Sequence, residues 1–380
     1  MNNENEQLIL NAVDKFLIKI KPSVRSLEAN DEYPDDIVEG MKEMGLFGAV
    51  IDPQYGGLGL PVSTYAKIVE RVACVWMSLT GVFNSHLIMA MSVQRFGTEE
   101  QKNKWLPLFA SGEIRGALAL TEPNCGTDLQ AINTVAKREG DNYIINGSKA
   151  WITNSLHGSC FALLVKTKPA ASPAHKGMSL FIAPKGEGFV MGSQHKKLGY
   201  KGIDTAEFFL DDYRLPKENL IGLDEGHGLQ HALGALALGR INVASRGIGV
   251  ASAALNDSIE YSQQRKTFGK PICQHQSIQI YLADMATRVE AARLLVQSAA
   301  TAFDRGDRCD MEAGMAKLFA TEAAMENSAE ALRIHGAYGY STEFNVERYY
   351  RDAPLLAIGE GTNELQRIII AKQLIEQNPL

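Results

Sequence analysis

Several kinds of protein are excluded by what this chain of 380 residues lacks. Its five cysteines (Cys74, Cys125, Cys160, Cys273, Cys309) are scattered, odd in number and never spaced C-x-x-C, so they form neither a disulfide frame nor a zinc site. No uninterrupted apolar run approaches the ~18 residues of a membrane-crossing helix. There is no block of like charge. The net charge of −6 excludes an electrostatic case for nucleic acid or an anionic membrane as partner. The opening Met-Asn-Asn-Glu-Asn-Glu-Gln is polar and acidic, unlike a secretory signal or an Arg-rich transit peptide, and a cytoplasmic protein is expected. Phosphate-loop, H-E-x-x-H and G-x-S-x-G motifs are absent, as are repeats and low-complexity tracts. The eight histidines show no metal-ligand spacing, and His275 and His335 read as hydrogen-bonding groups.

What is present is an ordinary globular composition, 45% hydrophobic and 22% charged, with room for two or three domains. Residues 1–115 carry helical periodicity around 5–20, 34–44, 61–78, 80–95 and 99–111, with a capping-box start at Thr98-Glu99-Glu100-Gln101. Residues 116–222 change to short β-branched or alternating runs separated by turns, which predicts a small sandwich or barrel. Residues 168–177 read as a mobile surface loop. Residues 223–380 return to long apolar-striped helices, about 226–265, 274–304, 309–335 and 362–376, which predict a bundle. Segregated helices and strands indicate an α+β protein. Gly247-Ile248-Gly249 lies inside a helical pattern and not after a strand, so close helix packing explains it better than a dinucleotide fingerprint.

One acid stands out. Glu360 lies between Gly359 and Gly361, just before a helical pattern that Thr362 can cap. Flanking glycines allow close approach of the backbone to a ligand. The arrangement suits a general base, and a solvated Glu in a helix-entry loop is the alternative reading.

Further segments carry a resemblance. They are Ala119-Leu-Thr-Glu-Pro-Asn-Cys-Gly-Thr-Asp128, Trp151-Ile-Thr-Asn154, Arg265-Lys-Thr-Phe-Gly-Lys-Pro271 and Glu347-Arg-Tyr-Tyr-Arg-Asp352. In this order, with Lys197 to Gly222 and the Glu360 turn, the chain resembles the acyl-CoA dehydrogenase flavoproteins over essentially its whole length. The resemblance implies an N-terminal helical domain, a middle β domain and a C-terminal four-helix bundle, a homotetramer, and bound FAD. It implies that Leu118, Leu120, Thr121 and Gly126 bind the flavin edge through the backbone, while the Thr127 hydroxyl contacts the pyrophosphate and Thr127 also faces substrate. Trp151 and Thr153 would pack beside the flavin ring. Arg265, Thr267, Phe268, His275, Gln276 and the loop 333–337, with Arg333 and Ala337, would reach the FAD of a neighbouring subunit. Thr362 and Glu364, with Gly361, would add contacts at a helix N-terminus. Glu360 would remove the α-proton of an acyl thioester while the β-hydride moves to flavin N5, giving a trans-2-enoyl thioester. Electrons would then pass to an electron-transfer flavoprotein.

Departures from the family pattern bear on the substrate side, where Gly239, Arg240, Gly359 and Gly361 are expected. Some relatives place the base at the position of Gly239, which has no carboxylate here. Ala237 replaces an Asp that contacts the pantetheine arm, which keeps a carrier-protein-tethered thioester open beside acyl-CoA. Arg333 and Ala337 replace the commoner Gln and Gly. Gly359 replaces an aromatic residue, which leaves space and suggests a short, branched or cyclic acyl group. An oxygen-using flavin oxidase and a non-catalytic DNA-associated member of the fold are the competing expectations. The Glu and the negative charge disfavour them.

Overall fold

A computed structural model describes residues 3–379. The chain opens with α1 (Asn3–Ala29), α2 (Asp35–Glu43), α3 (Val62–Phe96) and α4 (Glu99–Ala110). The two helical patterns expected around 61–78 and 80–95 are the two arms of α3, which meet at a kink where the Trp76 backbone is extended (φ −154°, ψ 102°). By length and composition α3 could cross a membrane, but 83% of its apolar window is buried inside the protein, so it is a core helix. The capping box of α4 is present: Gln101 N–H donates to Thr98 Oγ1, and Gln101 Oε1 accepts from Thr98 N–H.

Seven strands follow: β1 (Gly116–Ala119), β2 (Val135–Glu139), β3 (Asn142–Thr153), β4 (Cys160–Lys166), β5 (Met178–Pro184), β6 (Phe189–Gln194) and β7 (Thr205–Pro216). They form one sheet in the order β1-β4-β2-β3-β7-β6, with β5 paired to β4 beside that path. β4 is buried on both faces. Phe161, Leu163 and Val165 enter a core belonging to the sheet, while Ala162 and Leu164 join the main helical core. The strand alternation therefore mortises the β region onto the helices. β6 was not anticipated, because its residues are only partly buried and Gly192 and Ser193 interrupt its pattern. The expected mobile loop at 168–177 ends in a 3-10 turn, Ala174–Gly177.

The remaining helices are α5 (Gly228–Gln264), α6 (Gln276–Asp304), α7 (Asp310–His335), α8 (Val346–Ile358) and α9 (Asn363–Gln377). A short hairpin, β8 (Lys266–Thr267) and β9 (Lys270–Pro271), joins α5 to α6. The small residues of α5 act as expected. A Cβ on Gly247 would stand 2.6 Å from the carbonyl oxygen of Ala320 on α7, and one on Gly249 would stand 2.5 Å from Ala73 Cβ on α3. α5 thus packs closely on α3 on one side and α7 on the other, and the acid Glu360 meets α3 at Asn84 and α5 at Gly239.

Candidate active site

α8 stops at Ile358, and four residues, Gly359 to Thr362, turn the chain into α9. Gly359 is extended (φ −70°, ψ 153°). The left-handed residues are Glu360 (φ 55°) and Gly361 (φ 91°). Glycine takes this conformation freely, so the conformational strain falls on the acid, at a cost of order 1–3 kcal/mol. Thr362 caps α9 by accepting from Leu365 N–H at 3.3 Å.

A buried lysine holds this turn. Lys317 Nζ donates to the carbonyls of Ala357 (3.1 Å) and Gly361 (2.8 Å) and to Asn363 Oδ1 (3.0 Å). Three donors meet three acceptors. Asn363 is fixed in turn by Thr321, and Gln366 Nε2 donates to the Gly361 carbonyl. Burial pushes the Lys317 pKa down to about 8, against the pull of Glu360 and Glu364. The sequence signal was a lysine on the alanine stripe Ala313, Ala316, Ala320, Ala324 of α7, whose residues are all buried.

The Glu360 carboxylate points inward. Oε1 accepts from Asn84 Nδ2 on α3 at 2.7 Å. Oε2 is buried and has no hydrogen-bond partner. It lies where a side chain at Gly239 would be, since a Cβ there would come within 2.0 Å of it. Burial raises the Glu360 pKa above the usual carboxylate range, opposed by Arg246, Asn84, Lys317 and Arg240. Burial outweighs the surrounding cations and the Asn84 hydrogen bond. Arg240 Nη1 donates to Asp310 Oδ1 at 3.2 Å, while its Nε is buried and unpartnered. Asn84 Oδ1 and Arg246 Nη2 are buried without partners too. Asn84 and Arg246 escaped the sequence reading, because each sits in an apolar helical run and meets Glu360 only through the tertiary fold.

A second strip leads away from this group. Leu120 and Ile152 are buried, Leu118, Thr121 and Thr153 are half-buried, and Gly126 and Thr127 are exposed. Lys149 Nζ fixes the end of β1 by donating to the Leu120 carbonyl (3.0 Å) and to Glu122 (2.8 Å). Glu122 also accepts from the Asn133 and Thr134 amides. Burial alone would raise the Glu122 pKa, but Lys149 and these amides leave it lowered. The turn 121–127 is thereby held with open backbone at its tip; a Cβ on Gly126 would meet nothing closer than 3.9 Å. Trp151 has φ 60°, is 57% exposed and stacks on His195 at 4.1 Å between ring centres. The exposed indole, the open turn and the Thr153 hydroxyl fit a flat, polar-edged ring such as a flavin. Tyr200 links the strip to the acid. Its hydroxyl rests on Gly81 of α3, and burial raises its pKa against the nearby Arg246 charge, with Glu360 adding to the rise.

A third group lies on the hairpin and the end of α7. Arg265 sits over the Tyr338 ring, and Thr267 Oγ1 hydrogen-bonds His275 Nε2 at 3.0 Å. Phe268 is left-handed and 97% exposed. Gln276, Arg333, Ala337 and Glu364 are exposed as well. Among the described residues none of the hairpin or α7-end residues bonds to the Glu360 group. His275 and His335 are both hydrogen-bonded, and no metal-ligating cluster occurs among the described residues.

Three family models match the chain: acyl-CoA dehydrogenase N-terminal domain over residues 3–113, middle domain over 117–213 and C-terminal domain over 226–375. An acyl-CoA dehydrogenase of Bacillus subtilis is 40% identical over 359 residues, covering 94% of each chain. The mouse mitochondrial short-chain specific acyl-CoA dehydrogenase is 38% identical over 376 residues, 98% of this chain and 90% of that one. The structure of butyryl-CoA dehydrogenase from Megasphaera elsdenii superposes with a TM-score of 0.95 at 36% identity, covering 99% of both chains. The chain belongs to the acyl-CoA dehydrogenase family, flavoprotein oxidoreductases that act on CH–CH bonds.

Proposed function

We propose that the protein holds FAD along the Leu118–Thr127, Trp151 and Thr153 strip and dehydrogenates a short acyl thioester, with Glu360 as the α-proton base. The observation that carries this reading is the Glu360 carboxylate, turned inward with a raised pKa and one oxygen left free beside Gly239. FAD, when bound, supplies the acceptor for the β-hydride. The residues of the chain do the rest. Asn84 and the left-handed turn aim the carboxylate. Its backbone N–H is assigned to the thioester carbonyl, where charge develops as the proton leaves. The raised pKa brings the base closer to working pH, which favours proton abstraction.

The acyl group is proposed to be short, branched or cyclic. A Cβ on Gly359 would approach only Leu355 of its own helix turn, whose carbonyl oxygen lies at 3.3 Å, and no other element, so room is left where a ring would otherwise stand. Short acyl groups also appear in the names of two of the relatives above. Ala237, buried on α5, has no carboxylate for a pantetheine arm, so a carrier-tethered thioester belongs in the same panel as acyl-CoA. An electron-transfer flavoprotein is the proposed acceptor, and a homotetramer the proposed assembly.

Anaerobic titration with a panel of acyl thioesters, followed by flavin bleaching, tests the reading. A short ester should bleach the flavin of the native protein. Glu360→Gln should keep the yellow cofactor and slow bleaching by about 10²–10⁴-fold. Full bleaching by that variant removes Glu360 from the base role, and a strong preference for long straight chains removes the substrate assignment.

A further inference from the structure

Arg246 remains unexplained by the steps above. The residue is 5% exposed. Its Nε donates to Asn242 Oδ1 at 2.6 Å, and Asn242 is held by the Tyr65 hydroxyl at 2.7 Å. Nη2 is buried with no acceptor. A guanidinium is always charged and can only donate, so a buried N–H without a partner is costly and calls for an acceptor. No carboxylate forms an ion pair with Arg246 among the described residues.

The charges around it are out of balance. Arg240, Arg246 and Lys317 face Glu360 as cations, and Arg240 is paired with Asp310. Glu360 is then the one inward carboxylate shared by Arg246 and Lys317. Glu322 is paired with Arg367, and Glu364 is exposed. One positive charge is left over when Glu360 is ionised.

Position sets the reach. Gly239, which touches Glu360, and Arg246 are seven residues apart and share one face of α5, about 10.5 Å along the axis. The bond from Nε to Asn242 shows the side chain folding back toward Gly239, which brings the guanidinium roughly one turn nearer, to about 5 Å. That is the span of a short acyl chain beyond its α-carbon.

Building on the dehydrogenase reading, we propose that Arg246 reads the far end of the acyl group, and that the substrate is a short acyl thioester ending in a carboxylate. The carboxylate would take the free Nη2 and neutralise the surplus charge. A methyl terminus would leave both unmet.

The test is equilibrium binding to the FAD-loaded protein of matched CoA esters, about four or five carbons long, ending in methyl or carboxylate. The carboxylate ester should bind at least about tenfold tighter. Arg246→Gln should abolish or invert that ratio, and Arg246→Lys, which keeps charge but loses the fork, should retain part of it. Tighter binding of the methyl ester by the native protein overturns the proposal. So does an unchanged ratio in Arg246→Gln with full FAD content; should that variant lose FAD, an unchanged ratio in Arg246→Lys does the same. Bleaching is scored separately. If the esters bind with the expected ratio but none bleaches the flavin, the dehydrogenase reading fails while the Arg246 assignment stands.

Discussion

Glu360 is placed where a carboxylate is least at ease, on a left-handed backbone, out of water, and with one oxygen unpaired. Its position depends on a side chain that is missing. Gly239→Ala would put a methyl group within 2.0 Å of Oε2, so the carboxylate must move. A displacement on that scale should lower turnover about 10²-fold with FAD retained, as single-turnover bleaching and flavin content would show. The raised pKa also has a sign. A carboxyl raised in the folded state contributes its full stability below the unfolded pKa and loses it as pH rises through the folded value. At neutral pH the buried charge therefore works against the fold. Glu360→Gln should melt higher than the native protein near pH 7, and the gain should fade as the pH is lowered toward the ordinary carboxylate range. Thermal unfolding at several pH values decides this. Activity follows the other direction, falling as pH drops through the raised pKa, because the base must be ionised.

At the scale of elements, the turn that carries the acid is made by two helices and clamped by a third. The clamp is Lys317 of α7, which closes three acceptors from the α8–α9 junction. Loss of its proton removes a donor and the charge together. Activity should therefore decline above about pH 8, where burial has moved the Lys317 pKa. Lys317→Arg cannot lose its proton in that range, and its alkaline limb should disappear from the pH profile while the acid limb stays. Persistence of the limb in an active Lys317→Arg protein assigns it to another group. Much of this element was readable beforehand: the glycine-flanked acid and the Thr362 cap both lie within a few residues of each other. α8 was not recognised as a helix. It is short and contains Pro354, and its buried face (Val346, Tyr349, Asp352, Ala353, Leu356) includes an acid. The clamp was illegible for a different reason. Lys317 and Gly361 are brought together only by the packing of α7 on α8 and α9. Local periodicity can mark a lysine as out of place on an alanine stripe but cannot name its partner.

For the whole molecule, the order helices, strands, helices was visible in composition and turn spacing, whereas the meeting of α3, α5 and the α8–α9 turn at one carboxylate was not. Another part of the proposed site faces outward from the chain. Phe268 and Tyr340 are 97% and 93% exposed, and Arg265 lies against Tyr338 beside them. Large aromatic side chains left this open on a well-packed protein mark a contact surface. The hairpin residues form no bond with the Glu360 group, and their place is proposed to be at the cofactor of a second copy of the chain. Phe268→Ser removes the most exposed ring without touching the core or the acid. It should shift the assembly toward smaller species in analytical ultracentrifugation and lower the FAD-to-protein ratio in the same sample. The two losses should track each other across protein concentration, because one surface is asked to do both. A native protein that sediments as a monomer yet holds one FAD per chain would separate the hairpin from the cofactor and leave the Trp151 strip to bind it alone.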